Sequence, residues 1–202
     1  MRTTARRLSA VLLSATVGLS LAGCASGNDQ LAEQYSAGSN KGYVAGDGTI
    51  LEIPAAQRSK AVTFSGTDET GATLSSSNYL GKVLVVNFWY AGCAPCRAEA
   101  PTLAAAEAAF TPGSAALIGV NVRDQADTAA AFMHSFDISY PSIIDTDSGS
   151  VQLAFAGSVP ANAVPTTIVL DQQGRVAARI LGRLADASIL STIVNGLVAS
   201  NG

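Results

Sequence analysis

Two cysteines stand two residues apart directly after a short apolar run, and this arrangement constrains the fold more than any other feature of the chain. The run KVLVVNFW, residues 82–89, is too short for a buried helix and nearly continuous, which is typical of a strand covered on both faces. The stretch CRAEAPTLAAAEAAF, residues 96–110, is rich in good helix formers, so we expect a helix that is kinked near Pro101. The sequence therefore predicts a central strand followed by a helix, with Cys93 and Cys96 at the junction.

The other segments alternate between strand and helix patterns. Residues 42–54 and 61–75 each alternate around a turn and predict two small hairpins. We then expect a strand, a helix, an extended piece, a short helix, a hairpin and a final helix, at 115–122, 128–137, 141–145, 149–157, 166–182 and 188–200. In the first of these helices, the spacing of Ala131, Phe132 and Phe136 predicts one apolar face. This order indicates an α/β fold in which helices flank a mixed central sheet.

Composition fits one folded domain with a short extension. The chain has 202 residues, of which 48% are hydrophobic and 13% charged, and its net charge is −3. The hydrophobic share is ordinary for a soluble domain, and the length suits a single core. The sequence contains no block of like charges that would offer a basic footprint to phosphates, so nucleic acid is not an expected partner.

The N-terminus has the pattern of an export signal. Three arginines among the first seven residues precede an apolar stretch, residues 8–23, that is too short to span a bilayer comfortably. It closes on Leu-Ala-Gly-Cys at 21–24, which resembles the lipobox of bacterial lipoproteins. The resemblance implies that residues 1–23 are a removed signal peptide and that Cys24 is lipidated. The alternative is a plain secretory signal with an incidental cysteine.

A lipidated Cys24 would hold the protein on the extracytoplasmic face of the bacterial membrane. Residues 24–41 are small and polar and have too few apolar side chains to offset the entropy of ordering them, so we expect a flexible tether. The folded domain should then occupy 42–202. Of the three cysteines, Cys24 would carry a thioether, which leaves Cys93 and Cys96 only each other as disulfide partners.

Several uses of the cysteine pair can be compared on chemical grounds. As a staple, the disulfide closes so short a loop that the loop-entropy model assigns it only about 2 kcal/mol. A structural zinc site needs about four ligands, and the single histidine, His134, lies far along the chain on a predicted helix. Covalent haem requires a histidine directly after the second cysteine, where Arg97 stands. Redox chemistry fits best, and it needs no metal and no cofactor besides the disulfide itself.

The strand-to-helix junction also assigns roles to the two thiols. The strand ending at Trp89 delivers Cys93 to a helix N-terminus, where unpaired N–H groups and the helix dipole favour a thiolate. Arg97, one turn further on, would add to this effect. Pro95 lies in the first turn, where its missing N–H has no partner to lose. We therefore predict that Cys93 is the exposed nucleophile and that Cys96 is the deeper, resolving thiol.

The segment VVNFWYAGCAPCRAEAP, residues 85–101, resembles the active-site signature of the TlpA/ResA family of thioredoxin-like, membrane-tethered thiol-disulfide oxidoreductases. The resemblance extends to the entry to the core strand, to the insertion that separates this family from plain thioredoxins, and to the closing proline loop with its hairpin, at 74–89, 117–147 and 163–182. It implies a thioredoxin-like fold with an N-terminal hairpin extension and the family's central β–α insertion.

The same resemblance implies roles for single residues. Cys93 and Cys96 correspond to the family's redox pair. Pro165 corresponds to the proline that is cis in the thioredoxin fold and should pack against Cys93, and Val164 to the residue before it, whose backbone faces the redox pair and docks the client chain.

Glu99 corresponds to a glutamate that the family often has after the redox pair. It either helps to deprotonate Cys96 or is an exposed helix-surface carboxylate or a partner of Arg97. Other positions depart from the family pattern. Asn87 stands where thioredoxin has a buried aspartate, and an amide cannot be the base. Ala94 stands where ResA-type proteins can carry glutamate, and Gly92 where tryptophan is common, so the rim of the site should be less bulky.

These features predict a membrane-tethered thiol-disulfide oxidoreductase. Family precedent favours reduction of client protein disulfides, for example those of apocytochrome c, with a membrane thiol reductase as the electron donor. Three alternatives stay open: a thiol oxidase of secreted proteins, a peroxiredoxin-type peroxidase and a non-catalytic binding lipoprotein. The peroxidase fold has threonine three residues before its reactive cysteine, where this chain has Tyr90.

Overall fold

The secondary-structure elements follow the predicted alternation closely. The computed structural model describes residues 48–158 and 163–200, so the predicted signal peptide, Cys24 and the tether lie outside the described residues. In chain order the elements are β1 (Gly48–Glu52), β2 (Ser65–Thr67), β3 (Thr73–Ser75), β4 (Val83–Trp89), α1 (Ala94–Ala108), β5 (Ala115–Asn121), α2 (Ala126–Ser135), β6 (Ser142–Ile144), α3 (Ser150–Ala154), β7 (Thr166–Leu170), β8 (Val176–Gly182) and α4 (Ala187–Ala199), with 3-10 turns at Ala55–Gln57 and Ser76–Tyr79.

Six strands form a mixed sheet in the order β1-β8-β7-β4-β5-β6. β4 pairs in parallel with β5 and antiparallel with β7, and every residue of β4 is buried. The nearly continuous apolar run in this segment has the expected cause, because both faces of the strand are covered. The end of β4 leads directly into the cysteine pair and α1, so a fully buried inner strand of the sheet positions the pair.

Helices and the β2–β3 hairpin cover the two faces of the sheet. On one face, α1 and α4 pack through apolar side chains such as Leu103, Leu190 and Val194. On the other face, Phe64 and Phe155 meet with ring centroids 5.5 Å apart, which joins the hairpin region to the region after α3. A third apolar cluster joins α2 to the cysteine pair. No helix in the described ranges is long and apolar enough to cross a membrane.

The two predicted N-terminal hairpins have different outcomes. The second is confirmed, because β2 and β3 pair antiparallel as a separate two-stranded sheet. For the first, β1 pairs antiparallel with β8, from Gly48↔Gly182 to Glu52↔Ala178, and extends the main sheet at its edge. The other half of that predicted hairpin lies outside the described residues. All five residues of β1 find pairing partners along the edge of β8, which is more than a short hairpin offers.

The apolar face predicted for α2 is partly wrong. Ala131 is exposed, whereas Ala129, Phe132 and Met133 are buried and Phe136 is half-buried. Positions i, i+3, i+4 and i+7 share one face of a helix, and Ala131 is one residue away from this set, about 100° around the axis. The buried face of α2 is the one that packs against the cysteine pair.

Candidate active site

The disulfide lies at the N-terminus of α1. Cys93 and Cys96 are bonded to each other, with Cα atoms 5.2 Å apart. Cys93 is the N-cap residue of α1, and its sulfur accepts a hydrogen bond from the N–H of Cys96 at 3.2 Å. Pro95 lies in the first turn of the helix, as expected. The sulfur of Cys93 therefore already occupies the position where helix N–H groups stabilise a thiolate.

Both cysteines are buried in the disulfide form. Each is only 3% exposed, so the prediction that Cys93 is the more exposed thiol is wrong for this state. Trp89 belongs to the same apolar cluster as the pair, and Tyr90, Ala91 and Val164 pack against that cluster. The cover comes from the loop before the helix and from a distant loop that the local pattern did not indicate. The turn itself stays open, since residues 94–95 are exposed.

Trp89 is a structural neighbour of the pair with two fixed contacts. Its ring centroid lies 4.6 Å from that of Phe132, and its Nε1–H donates to Ser142 Oγ at 2.9 Å. Gly119 leaves room for this bond, because a Cβ there would lie 2.5 Å from Ser142 Oγ and 2.7 Å from Trp89 Nε1. The Ser142 N–H in turn donates to Glu69 Oε2 at 2.9 Å, which ties the β2–β3 hairpin to this wall of the site.

Arg97 is exposed, and its contacts hold it against α2. The guanidinium carbon lies 5.1 Å from the ring centroid of Phe136, and an Nη1–H donates to the carbonyl of Ala91 at 3.4 Å. These contacts, rather than a hydrogen bond to the sulfur of Cys93, fix the side chain. Its influence on Cys93 is therefore a through-space effect of its charge.

Glu99 is buried, with 1% exposure, so the interpretation as an exposed carboxylate or a partner of Arg97 is wrong. Its Oε1 accepts from Asn87 Nδ2 at 2.9 Å, and its Oε2 accepts from the N–H of Leu184 at 2.8 Å. Asn87 also donates to Thr167 Oγ1 at 3.1 Å. Position i+3 after Cys96 lies on the same face of α1, and this face is the one that packs on the sheet.

Burial changes the acidity of Glu99. Desolvation raises the pKa of its carboxyl to about 7, although hydrogen bonds from Leu184 and Asn87 and the charge of Arg183 lower it. Burial, together with the charges of Glu99 and Glu107, also raises the pKa of Tyr140.

Cys96, Asn87 and Tyr140 line a small cavity of about 10 Å³, room for about one water molecule. Asn87, which lines the cavity, also donates a hydrogen bond to Glu99. A carboxyl that exchanges its proton near neutral pH is thus one helical turn from Cys96.

The loop before β7 has the geometry that the resemblance implied. The Val164–Pro165 bond is cis, and Val164 packs against the cysteine cluster. The carbonyls of Ala163 and Pro165 are hydrogen-bonded, to Thr166 Oγ1 at 2.7 Å and to the N–H of Gly182 at 2.9 Å. Within residues 48–158 and 163–200, the N–H and C=O of Val164 have no hydrogen-bond partner.

A polar contact that we did not predict from the sequence supports the turn before Cys93. Asp124 Oδ2 accepts from the N–H of Ala91 at 2.6 Å and from Asn121 Nδ2 at 2.9 Å. Asn121 is fully buried, and its Oδ1 accepts from the N–H groups of Arg123 and Asp124 at 3.0 and 2.7 Å. We call residues 121–124 the Asn121–Asp124 loop. A buried amide at the end of an otherwise apolar strand was the available signal.

Comparison with known proteins identifies the family. The profile of the AhpC/TSA family matches residues 58–179, which is more than half of the chain and includes the cysteine pair. The chain belongs to the AhpC/TSA family. Among curated relatives, it is similar to the thiol-disulfide oxidoreductase ResA of Bacillus subtilis (strain 168), with 29% identity over 131 residues that cover 65% of this chain and 70% of ResA. It is also 32% identical, over 113 residues, to the thiol:disulfide interchange protein HelX of Rhodobacter capsulatus, covering 56% and 60% of the two chains.

Solved structures agree with this comparison. A DsbF homologue from Corynebacterium diphtheriae has a TM-score of 0.66 and 33% identity, with 76% of this chain and 96% of that chain covered. A secreted thiol-disulfide isomerase from Corynebacterium glutamicum also has a TM-score of 0.66, with 30% identity and coverage of 74% and 92%. The predicted thioredoxin-like fold and the predicted enzyme class are therefore confirmed: this AhpC/TSA family member is a thiol-disulfide oxidoreductase.

Proposed function

We propose that this oxidoreductase reduces disulfides of client proteins through Cys93 and Cys96, on the outer face of a bacterial membrane to which lipidated Cys24 tethers it. The observation that carries the chemical part is the position of the Cys93 sulfur, which accepts the N–H of Cys96 at the N-terminus of α1. A sulfur in this position is a good nucleophile as a thiolate and a good leaving group from a mixed disulfide.

The reaction consists of two thiol-disulfide exchanges. The Cys93 thiolate attacks one sulfur of the client disulfide, which breaks the S–S bond and releases the first client thiolate. The Cys96 thiol loses its proton and attacks the Cys93 sulfur of the mixed disulfide, which releases the second client thiolate and forms Cys93–Cys96. The client gains two electrons, and two protons complete its two thiols. The oxidised pair must then be reduced by a dithiol donor.

Glu99 is suited to handle the proton of Cys96. The carboxyl is one turn from Cys96 on the buried face of α1, and its pKa of about 7 keeps both protonation states populated near neutral pH. In the proposal, ionised Glu99 is the base that takes the proton of Cys96. Asn87 holds the carboxyl in place and does not itself exchange a proton.

The backbone of Val164 is suited to bind an extended client segment. Within the described residues its N–H and C=O have no hydrogen-bond partner, and Val164 packs against the apolar cluster that contains the disulfide. Two backbone hydrogen bonds of this kind would align a client without reading its side chains.

The proposed location and partners follow from the N-terminal export signal and from the family resemblance. The export signal and the lipobox-like segment ending at Cys24 support a membrane-tethered protein outside the cytoplasm, and the isomerase from Corynebacterium glutamicum is itself described as secreted. Apocytochrome c is the client that the TlpA/ResA resemblance favours, and a membrane thiol reductase is the corresponding electron donor.

Trapping of mixed disulfides tests the assignment of the two thiols. A Cys96→Ser variant should accumulate covalent adducts with client proteins, because the mixed disulfide at Cys93 can no longer be resolved. A matched Cys93→Ser variant should accumulate almost none. Non-reducing electrophoresis of membrane extracts reads both outcomes. Adducts that form mainly on Cys96 would exchange the two roles.

The redox potential against glutathione tests the direction. We expect a value near those of reducing thioredoxins, about −270 mV, for a reductase. A value near −120 mV would instead indicate the thiol oxidase, and one below about −300 mV an inert structural disulfide.

A Cys24→Ser variant tests the lipid anchor. The proposal expects this variant to lose its membrane-bound fraction.

A further inference from the structure

We propose that Arg97 and Arg123 make the rim of the active site a docking surface for client segments that carry acidic residues next to their reactive cysteine. This inference names the client class and rests on the disulfide exchange proposed above. Its basis is a pair of arginines, each stacked on an aromatic ring and each tied to the loop that leads into Cys93.

The first arginine is fixed on the α1 side of the disulfide. The guanidinium carbon of Arg97 lies 5.1 and 5.9 Å from the ring centroids of Phe136 and Phe132. Its hydrogen bond to the carbonyl of Ala91 joins it to the residue two positions before Cys93. The cation is therefore held at the rim by contacts that leave it exposed.

The second arginine is fixed on the side of the Asn121–Asp124 loop. The guanidinium carbon of Arg123 lies 4.2 Å from the ring centroid of Tyr90, and its backbone N–H donates to buried Asn121. Tyr90 packs against the cysteine cluster. Arg123 is thus stacked on the residue directly before Ala91, so both cations depend on the same short loop.

Neither charge is neutralised in the described part of the chain. The salt bridges found there join Arg58 and Arg175 to Asp171. Asp124, the carboxylate next to Arg123, accepts hydrogen bonds from the neutral groups of Ala91 and Asn121 and forms no ion pair with either arginine, so its single negative charge offsets only one of the two positive charges. The rim is therefore locally cationic on a chain whose net charge is −3.

The surface next to the arginines is open and lacks bulk. Gly92, Ala94 and Pro95 are exposed and small, so a client backbone can approach the disulfide closely. A planar guanidinium binds a carboxylate through two parallel hydrogen bonds, and stacking on an aromatic ring restricts its motion before the client arrives. Acidic residues on either side of a client cysteine would meet these two cations. Since both are exposed, the main effect should be on encounter rate and should weaken with salt.

Peptide substrates test this inference directly. Three peptides of equal length carry the same Cys-Gly-Gly-Cys disulfide, flanked on both sides by glutamates, glutamines or lysines. Oxidation of the reduced full-length protein is followed by the fluorescence of Trp89, the single tryptophan. Each rate constant is divided by that for dithiothreitol with the same peptide, which removes differences in intrinsic disulfide reactivity.

We expect the glutamate peptide to react roughly tenfold faster than the lysine peptide at low ionic strength, with the glutamine peptide between them. In 0.5 M salt this ratio should fall to about two or less, because the Debye length shrinks to about 4 Å. The Arg97→Gln/Arg123→Gln double variant should show a ratio near one at low salt. A Lys60→Gln/Lys82→Gln variant loses the same charge at exposed positions of other loops and should keep the wild-type ratio.

The possible outcomes distinguish a failure of the docking surface from a failure of the proposed function. A wild-type ratio near one, a ratio that salt leaves unchanged, or equal losses in the arginine and lysine variants would overturn the docking surface while leaving disulfide exchange intact. If the wild-type protein oxidises none of its thiols with any peptide, the proposed function fails and the docking surface with it. Because the readout is a ratio, a general loss of activity in a variant cancels. If the double variant does not fold, Arg123→Glu alone should lower the ratio.

Discussion

At the scale of single residues, Glu99 shows how position alone changes chemistry. A glutamate in water has a pKa near 4.5, and desolvation in the interior raises it to about 7 in this protein. Asn87 and the N–H of Leu184 donate to its two oxygens, which offsets part of the cost of burying the carboxyl. The residue is therefore a buried carboxyl one helical turn from Cys96 rather than part of the solvated surface.

The raised pKa of Glu99 predicts a pH dependence of stability. A carboxyl whose pKa is higher in the folded state stabilises the fold most below its unfolded pKa of 4.5, and this contribution is lost as pH rises through about 7. Urea unfolding of the oxidised protein should show the free energy of unfolding of wild type falling by up to ~3 kcal/mol relative to Glu99→Gln between pH 4.5 and 7.5. Parallel pH profiles for the two proteins would contradict the assignment, since all other titrating groups are shared.

Gly119 is a second residue whose role is set by its surroundings. A Cβ at this position would lie within 2.7 Å of Trp89 Nε1, on a rigid buried ring, and closer still to Ser142 Oγ. Gly119→Ala should break the Trp89–Ser142 hydrogen bond and lower the free energy of unfolding by about 1–3 kcal/mol.

Gly196 provides the matched control for this substitution. It lies inside α4 with nothing within 4 Å of a built Cβ, so Gly196→Ala should raise the free energy of unfolding by about 0.5–1 kcal/mol. Both variants are measured by urea unfolding. A neutral Gly119→Ala would show that β5 and β6 can separate slightly without loss.

At the scale of elements, the start of α1 depends on the loop at the end of β5, the strand that pairs in parallel with β4. The Asn121–Asp124 loop follows β5 and accepts the N–H of Ala91 on Asp124. The strand end, the disulfide and the helix N-terminus are thus held together by a contact between residues 33 positions apart in sequence. This contact restrains the short segment between β4 and α1, which contains Gly92.

Removal of the Asp124 carboxylate should therefore loosen the active-site turn. Asp124→Ala leaves the N–H of Ala91 and the amide of Asn121 without their acceptor, which should lower the free energy of unfolding by about 1–3 kcal/mol. Amide exchange at residues 91–93 should become faster as the turn opens. Asp124→Asn keeps an acceptor oxygen and should lose less than half as much. Equal losses in the two variants would mean that the negative charge matters and the hydrogen bonds do not.

At the scale of the whole molecule, β1 closes one edge of the sheet. It pairs with β8 along all five of its residues, and Ile50 packs against the core that α1 and α4 cover. A chain that begins at Pro54 exposes the edge of β8. We expect a loss of unfolding free energy on the order of 2–4 kcal/mol and self-association through the free edge, measured by urea unfolding and light scattering.

A chain that begins at Lys41 is the control for this truncation. It lacks only the predicted signal peptide and tether and keeps β1, so its unfolding free energy should stay within about 0.5 kcal/mol of the longer chain. If the two shortened chains were equally stable, the β1–β8 pairing would contribute nothing to the fold.

The features that depend on neighbours along the chain could be predicted from the sequence. The apolar run of β4, the helix-forming stretch of α1 and the cysteine spacing predicted the strand, the helix and the disulfide at their junction, because these patterns follow from side-chain periodicity and helix-end geometry. The hairpin of β7 and β8 follows from the same kind of local signal.

Features that depend on contacts between distant segments became visible only in the folded chain. Whether Glu99 faces water or the core is set by the packing of α1 on the sheet and by Leu184, 85 residues away. The burial of Cys93 depends in part on Val164, and the partner of β1 on the free edge of β8, neither of which lies nearby in sequence. A local pattern specifies which groups a segment presents. Desolvation and pairing depend on which surfaces meet, and that is fixed only when the whole chain has packed.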